Sequence, residues 1–193
     1  MANIALQEKD YTADDLWEIS HLPENDGKRI YLIEGALYEM PPTSWLHGDV
    51  AMEVGRQISN HVKGQKLGRV TAAETGFNLA PGTSLAPDVG FIAAERVPKE
   101  LPPKGYVPFA PDLAVEVVSP GNDAEEISAK IQKYLQYGTR MVWIIYPNQR
   151  RVEVYRPAEE QTATVTFVEA DGVVDGGDVL PGFHLKLSDI FPD

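Results

Sequence analysis

Three residues in this chain could do chemistry together: Asp88, Glu116 and Lys130. Glu116 lies inside one of the most apolar runs, Asp112-Leu-Ala-Val-Glu-Val-Val-Ser-Pro120. An ionised carboxylate there is costly to desolvate unless it meets a cation, a metal or a proton. A strand this apolar is covered on both faces, so the acid cannot escape to water. Asp88 follows Pro87, which favours an extended entry and sets the aspartate at the start of a strand. If the two strands are neighbours, their carboxylates meet on one face. Two hard oxygen ligands so placed suit Mg²⁺ or Mn²⁺, with water and a substrate phosphate completing the shell. Without an ion, the two like charges would repel and raise one pKa. The plain alternative for Glu116 is a buried acid paired with a lysine or arginine for structural reasons.

Phosphoryl chemistry also needs a positive group to orient water or to stabilise charge. Lys130 is the candidate. In a helix over 125–137, Ile127, Ile131, Tyr134 and Leu135 form the buried stripe, and Lys130 falls about 60° to one side of Ile127, on its rim. The alternative there is a lysine that snorkels from the rim to solvent. By the same arithmetic Lys133 lies further towards solvent, and Tyr134 reads as core. Secondary candidates are His47, Glu53 and Glu74. His47 shares a helix face with Val50 and Val54 and is either a substrate or base group or a hydrogen-bonded histidine at the core edge. Glu53 is either a support for the metal or an exposed helix acid, and Glu74 could face the cleft from the first core strand.

The elements that must position these groups follow from periodicity and turn residues. Residues 11–20 read as a short helix with Thr12 as N-cap and Asp15 closing a capping box. Residues 29–40 read as a hairpin turning at Glu34-Gly35, and a helix is expected from Ser44 to about Val62. Strands are expected over 69–79, 89–93, 113–118 and 141–146. The 97–111 segment carries five prolines and is an extended loop. The second helix closes at Gly138. The segment 151–156 forms a hairpin with 141–146 and could leave an open sheet edge, and short strands at 164–168 and 183–187 finish the chain. The fold class is α/β (α+β), a mixed sheet flanked by helices with additional hairpins.

The 193 residues suit one domain over 1–193 with its core at about 28–156. Hydrophobic residues make up 43% and charged residues 24%, a globular balance. No run of 18 apolar residues suggests a membrane helix, and the first residues lack the pattern of a signal peptide. There is no cysteine, which excludes disulfides and thiolate metal sites and fits a cytoplasmic setting. The net charge of −12 counts against nucleic-acid binding on average, although the tracts at 63–69 and 96–104 are candidates for a local basic cleft.

The ordered set of motifs resembles a known family. Pro87-Asp88 followed by Glu116-Val-Val118 looks like the PD-(D/E)xK nuclease signature. The longer pattern is similar to the Uma2 group of endonucleases within that superfamily. It comprises the segment 32–40, His47, Ala86-Pro-Asp-Val89, the segment 110–120, Lys130 with Tyr134, the segment 142–156 and Gly177-Asp-Val-Leu-Pro-Gly-Phe183. It spans about residue 28 to the end of the chain. The resemblance implies a restriction-endonuclease-like core and Mg²⁺ (or Mn²⁺) held by Asp88 and Glu116. It further implies cleavage of phosphodiester bonds in nucleic acid, DNA before RNA. The superfamily lysine usually stands two residues after the glutamate. Here that position is Val118, and the resemblance points to Lys130 on the following helix instead. Ala86 and Tyr31 also depart from the family pattern, which often has Arg and Glu there. Cleavage of both strands of a duplex and the open hairpin edge together suggest a homodimer. The competing class is a binding or assembly module that keeps the fold without catalysis. A paired-carboxylate glycosidase is disfavoured, because the aromatics lie mostly within apolar runs.

Overall fold

The strand that carries Glu116 lies inside a six-stranded mixed sheet, buried along its whole length. The computed structural model describes residues 10–40, 42–100, 105–159 and 162–191. Three helices are α1 (Ala13–Ser20), α2 (Trp45–Gln65) and α3 (Ala124–Gln136). The strands of the large sheet are β3 (Gly68–Ala72), β6 (Val89–Ala93), β7 (Leu113–Val117), β8 (Met141–Tyr146), β9 (Arg151–Pro157) and β10 (Ala163–Val168). They run in the order β10-β9-β8-β7-β6-β3, and β7 with β8 is the parallel pair. A parallel pair needs a crossover, and α3 supplies it. A second sheet orders β2 (Ala36–Met40), β1 (Arg29–Ile33), β5 (Thr83–Leu85) and β4 (Phe77–Ala80), and a small third one pairs β11 (Val173–Asp175) with β12 (His184–Lys186).

Alternation along β7 decides where the acid points. Leu113, Val115 and Val117 face α2, whose Val50, Val54, Ile58 and Val62 recur at helical spacing and are fully buried. Ala114 and Glu116 take the other face, where Ile131 and Tyr134 of α3 pack with Tyr31 of β1 and Val142 and Ile144 of β8. The β1–β2 hairpin lies over one flank of α3. Its two-residue turn is Glu34-Gly35, both at positive φ (49° and 81°), which favours glycine at the second position.

The capping box at Thr12 and Asp15, the Ser44 N-cap and the Gly138 stop all form. Several expectations need correction. The strand expected over 69–79 is two strands in different sheets. Glu74 breaks the run at φ 73°, and β4 then leaves for the second sheet. Short β5 and β11 carry too few residues to show periodicity. Helix α2 continues to Gln65, with Lys66 ending it in the left-handed region. The outer edge of the 141–156 hairpin is not open, because β10 pairs with β9 along six residues. The open edges of the large sheet are β10 and β3.

Candidate active site

Strands β6 and β7 are antiparallel neighbours, and Val89 stands opposite Val115. One step further along that register sets Asp88 opposite Glu116, so both side chains lie on one face. Asp88 is 5% exposed and Glu116 9%. Asp88 Oδ2 accepts a hydrogen bond from the Val117 backbone N–H at 2.8 Å and lies 3.2 Å from His47 Nε2. Its Oδ1 is 3.9 Å from the Arg29 guanidinium. Glu116 Oε1 accepts from the Tyr134 hydroxyl at 2.8 Å, and Oε2 from the Lys130 ammonium at 3.2 Å.

Lys130 is 5% exposed, which corrects the rim position expected from the helical wheel. The reason is tertiary: the β1–β2 hairpin covers that flank of α3. The ammonium lies 5.1 Å from the centre of the Tyr31 ring and 3.7 Å from Glu126, whose carboxylate also accepts from the Tyr31 hydroxyl at 3.0 Å. Lys133, expected further out, instead reaches back to Glu34 in the hairpin turn.

Burial sets the electrostatics. Desolvation pushes the Glu116 carboxyl above its ordinary range and the Asp88 charge adds to this, against the pull of Lys130 and Tyr134. For Lys130, burial alone would lower the pKa, but the nearby carboxylates, Glu116 first and Glu126 next, outweigh it and hold the ammonium protonated. The Tyr134 hydroxyl is pushed well up by burial and by Glu116, so it stays a donor. The Tyr31 phenol is raised by burial and by Glu126.

Comparisons with known proteins show what the whole chain is similar to. The model of the Uma2 family, described as "Putative restriction endonuclease", matches residues 16–188. The chain belongs to the Uma2 family. It is also similar to a crystal structure described as "a putative nuclease belonging to DUF820" from Anabaena variabilis ATCC 29413. The two share 28% identity with a TM-score of 0.76, over 94% of this chain and 97% of that one. No curated protein matches the chain. The family and the fold are those of nucleases, and the mixed sheet flanked by helices is restriction-endonuclease-like.

In this Uma2 member the structure brings Asp88, Glu116, Lys130 and His47 together. It does not bring Glu53, whose carboxylate is bound by Arg56 and Gln57 of its own helix and held below its ordinary range mainly by Arg56. Glu74 sits in a turn, 73% exposed, and touches the site only through Arg29 at 3.8 Å. Of the two basic tracts, the one at 96–104 ties Arg96 to Asp112 at 2.9 Å, and residues 101–104 lie outside those described. Tyr134, read as core from the sequence, is core and also a ligand of Glu116. The spacing Glu126, Lys130, Tyr134 places all three on one helix face, and that i, i+4 pattern could have found Tyr134 and Glu126. Arg29 and Tyr31 reach the site because the β1–β2 hairpin docks against it, a tertiary contact for which no local signal exists.

The residues fit a divalent ion only in part from protein atoms. Among the described residues, no group of three His, Asp or Glu gathers around one point. Asp88 and Glu116 alone offer hard oxygens, and each Glu116 oxygen keeps a lone pair beyond the hydrogen bond that it accepts. Such a pair suits Mg²⁺, which retains several waters and is held by one or two carboxylates plus substrate phosphate.

Proposed function

We propose that this chain is a cytoplasmic endonuclease dependent on Mg²⁺ or Mn²⁺. It hydrolyses phosphodiester bonds of nucleic acid, DNA in preference to RNA, and works as a homodimer of single nuclease domains. The observation that carries the reading is the convergence of Asp88, Glu116 and a buried Lys130 at one point of a nuclease fold. Asp88 and Glu116 would hold the ion. When bound, it would supply a Lewis acid for the phosphoryl oxygen and a water acidic enough to attack. The Lys130 ammonium stands beside the acids to orient that water or to neutralise charge developing on phosphorus oxygens. Tyr134 fixes one Glu116 oxygen, and His47 with the Val117 N–H fixes Asp88, so the acids hold one geometry. The ion pair of Lys130 with Glu116 supports this role for a lysine of the next helix, since the usual strand position holds Val118.

The test is a cleavage assay on plasmid, linear duplex, single-stranded DNA and RNA, with Mg²⁺, with Mn²⁺ and with chelator, beside an Asp88→Ala control. Cleavage of DNA that needs the ion and vanishes in the variant is expected. Full activity in Asp88→Ala, or none with any substrate and either ion, rejects the reading.

No helix among the described residues is long and apolar enough to cross a membrane.

A further inference from the structure

A cavity of about 360 Å³ lies between α1, β1, β5 and the segment around Tyr106, joined to the acid pair through Arg29. Its volume falls within the roughly 300–1,000 Å³ of small-ligand sites. Two of its walls are residues already in contact with the site. Arg29 lies 3.9 Å from Asp88, and the Tyr31 hydroxyl is bound to Glu126. On another side stand Trp17 and Tyr106, edge to face, with ring centres 5.3 Å apart. Lys28 is exposed at the same cavity.

The Arg29 side chain is 21% exposed and makes no hydrogen bond among the described residues. Its two acidic neighbours, Asp88 and Glu74, stand at 3.9 and 3.8 Å, outside hydrogen-bond reach. A planar fork of N–H donors therefore shares a cleft with the Trp17 and Tyr106 rings. Guanidinium forks match phosphate, and aromatic faces stack bases whatever their identity. The larger cavity, about 960 Å³, lies on the opposite flank of α3, is lined by no charged residue and shares no side chain with the acid site.

We propose that the smaller cleft seats an unpaired nucleotide of the substrate strand, its base against Trp17 and Tyr106 and its phosphate on Arg29. This rests on the nuclease reading and narrows it. A base inside a duplex cannot enter the cleft, so the substrate is a single strand, an overhang or a site where one nucleotide is turned out of the helix. Stacking makes the choice tolerant of sequence, and Lys28 with Arg29, against Glu74 alone, leaves the lining of the cleft with a positive balance on a chain of net charge −12.

The test reads binding without divalent ions, so it does not depend on turnover. Short oligonucleotides carrying 5-bromouracil are bound to the wild-type chain in chelator, irradiated and digested, and adducts are located by mass spectrometry. Adducts at Trp17 or Tyr106 are expected, with single strands bound more tightly than the same sequence as duplex. Trp17→Leu and Arg29→Met should each weaken single-strand binding roughly ten-fold or more, the scale of one lost stacking or phosphate contact. Adducts confined to other surfaces, equal affinity for duplex, or no binding at all overturn the proposal. Cleavage measured in parallel separates the two readings. Cleavage with adducts elsewhere sinks the cleft alone, and adducts at Trp17 without cleavage sink the nuclease reading.

Discussion

Lys130→Met removes the charge from the centre of the site while keeping most of the alkyl stem. On the sequence, Lys130 is a rim residue and the change should cost little. The structure reverses that expectation, because the ammonium is 5% exposed and 3.2 Å from a carboxylate that is itself buried. At an effective dielectric constant of about 20, a pair at this distance is worth about 5 kcal/mol of Coulomb attraction. Removing one partner of a buried pair costs roughly 3–5 kcal/mol, since the other charge is left uncompensated. Glu116 has an escape: its carboxyl is already raised by burial and by Asp88, and without Lys130 it rises further. A carboxyl whose native pKa exceeds its unfolded value stabilises the fold at low pH and loses that contribution as pH rises through the native value. Each pH unit between the unfolded and the native value costs up to about 1.4 kcal/mol, and above the native value the penalty stays constant. Denaturant unfolding of wild type and variant at pH 5 and pH 8 should therefore show a loss of several kcal/mol at pH 8 that shrinks at pH 5. Adding Glu116→Gln to the variant should recover much of it. Any nuclease turnover should fall about 100-fold or more, the scale of one lost electrostatic stabiliser. Lys133→Met, which only frees the exposed Glu34, should change stability by less than about 1 kcal/mol. An equal loss at both pH values, or under about 1 kcal/mol at pH 8, would refute the buried-pair reasoning.

Three further outcomes follow from the same geometry. Mg²⁺ or Mn²⁺ should raise the melting temperature by mass action, and Asp88→Asn should blunt that rise without weakening the ion-free protein; an equal rise in both would mean that the ion binds elsewhere. Tyr134→Phe takes the donor from Glu116 Oε1 and should cost roughly 1.5–3 kcal/mol in urea unfolding, whereas an unchanged midpoint would show that the hydroxyl does not hold the acid. Light scattering at tens of micromolar should give the mass of a dimer, with the β10 or β3 edge as the place for a second copy, and a monomer mass would remove that idea.

Much of the fold was legible because local signals and burial agreed. The capping box at Thr12, the Glu34-Gly35 turn, the stripe of Val50, Val54 and Ile58, and strand β6 each follow from a few adjacent residues. The acid pair was legible because an apolar strand with one carboxylate admits few explanations. What failed was tertiary. No wheel could show that the hairpin of β1 and β2 lies over α3, so Lys130 read as a rim residue and Tyr31 as a mere departure from pattern. Glu74 read as a strand residue because nothing nearby in sequence announces a left-handed turn at a glutamate. Arg29 was invisible as a site residue, since its strand belongs to the second sheet and approaches Asp88 only in three dimensions.

On the reading proposed above, Asp88 and Glu116 share one divalent ion beside Lys130. Crystals of the wild-type chain soaked in Mn²⁺, with data collected to show the anomalous signal of manganese, test it directly. A peak within coordination distance of a carboxylate oxygen from each acid is expected, lost in Asp88→Asn crystals treated alike. A peak bound by other residues, or none between the two acids while Mn²⁺ supports cleavage, would contradict it.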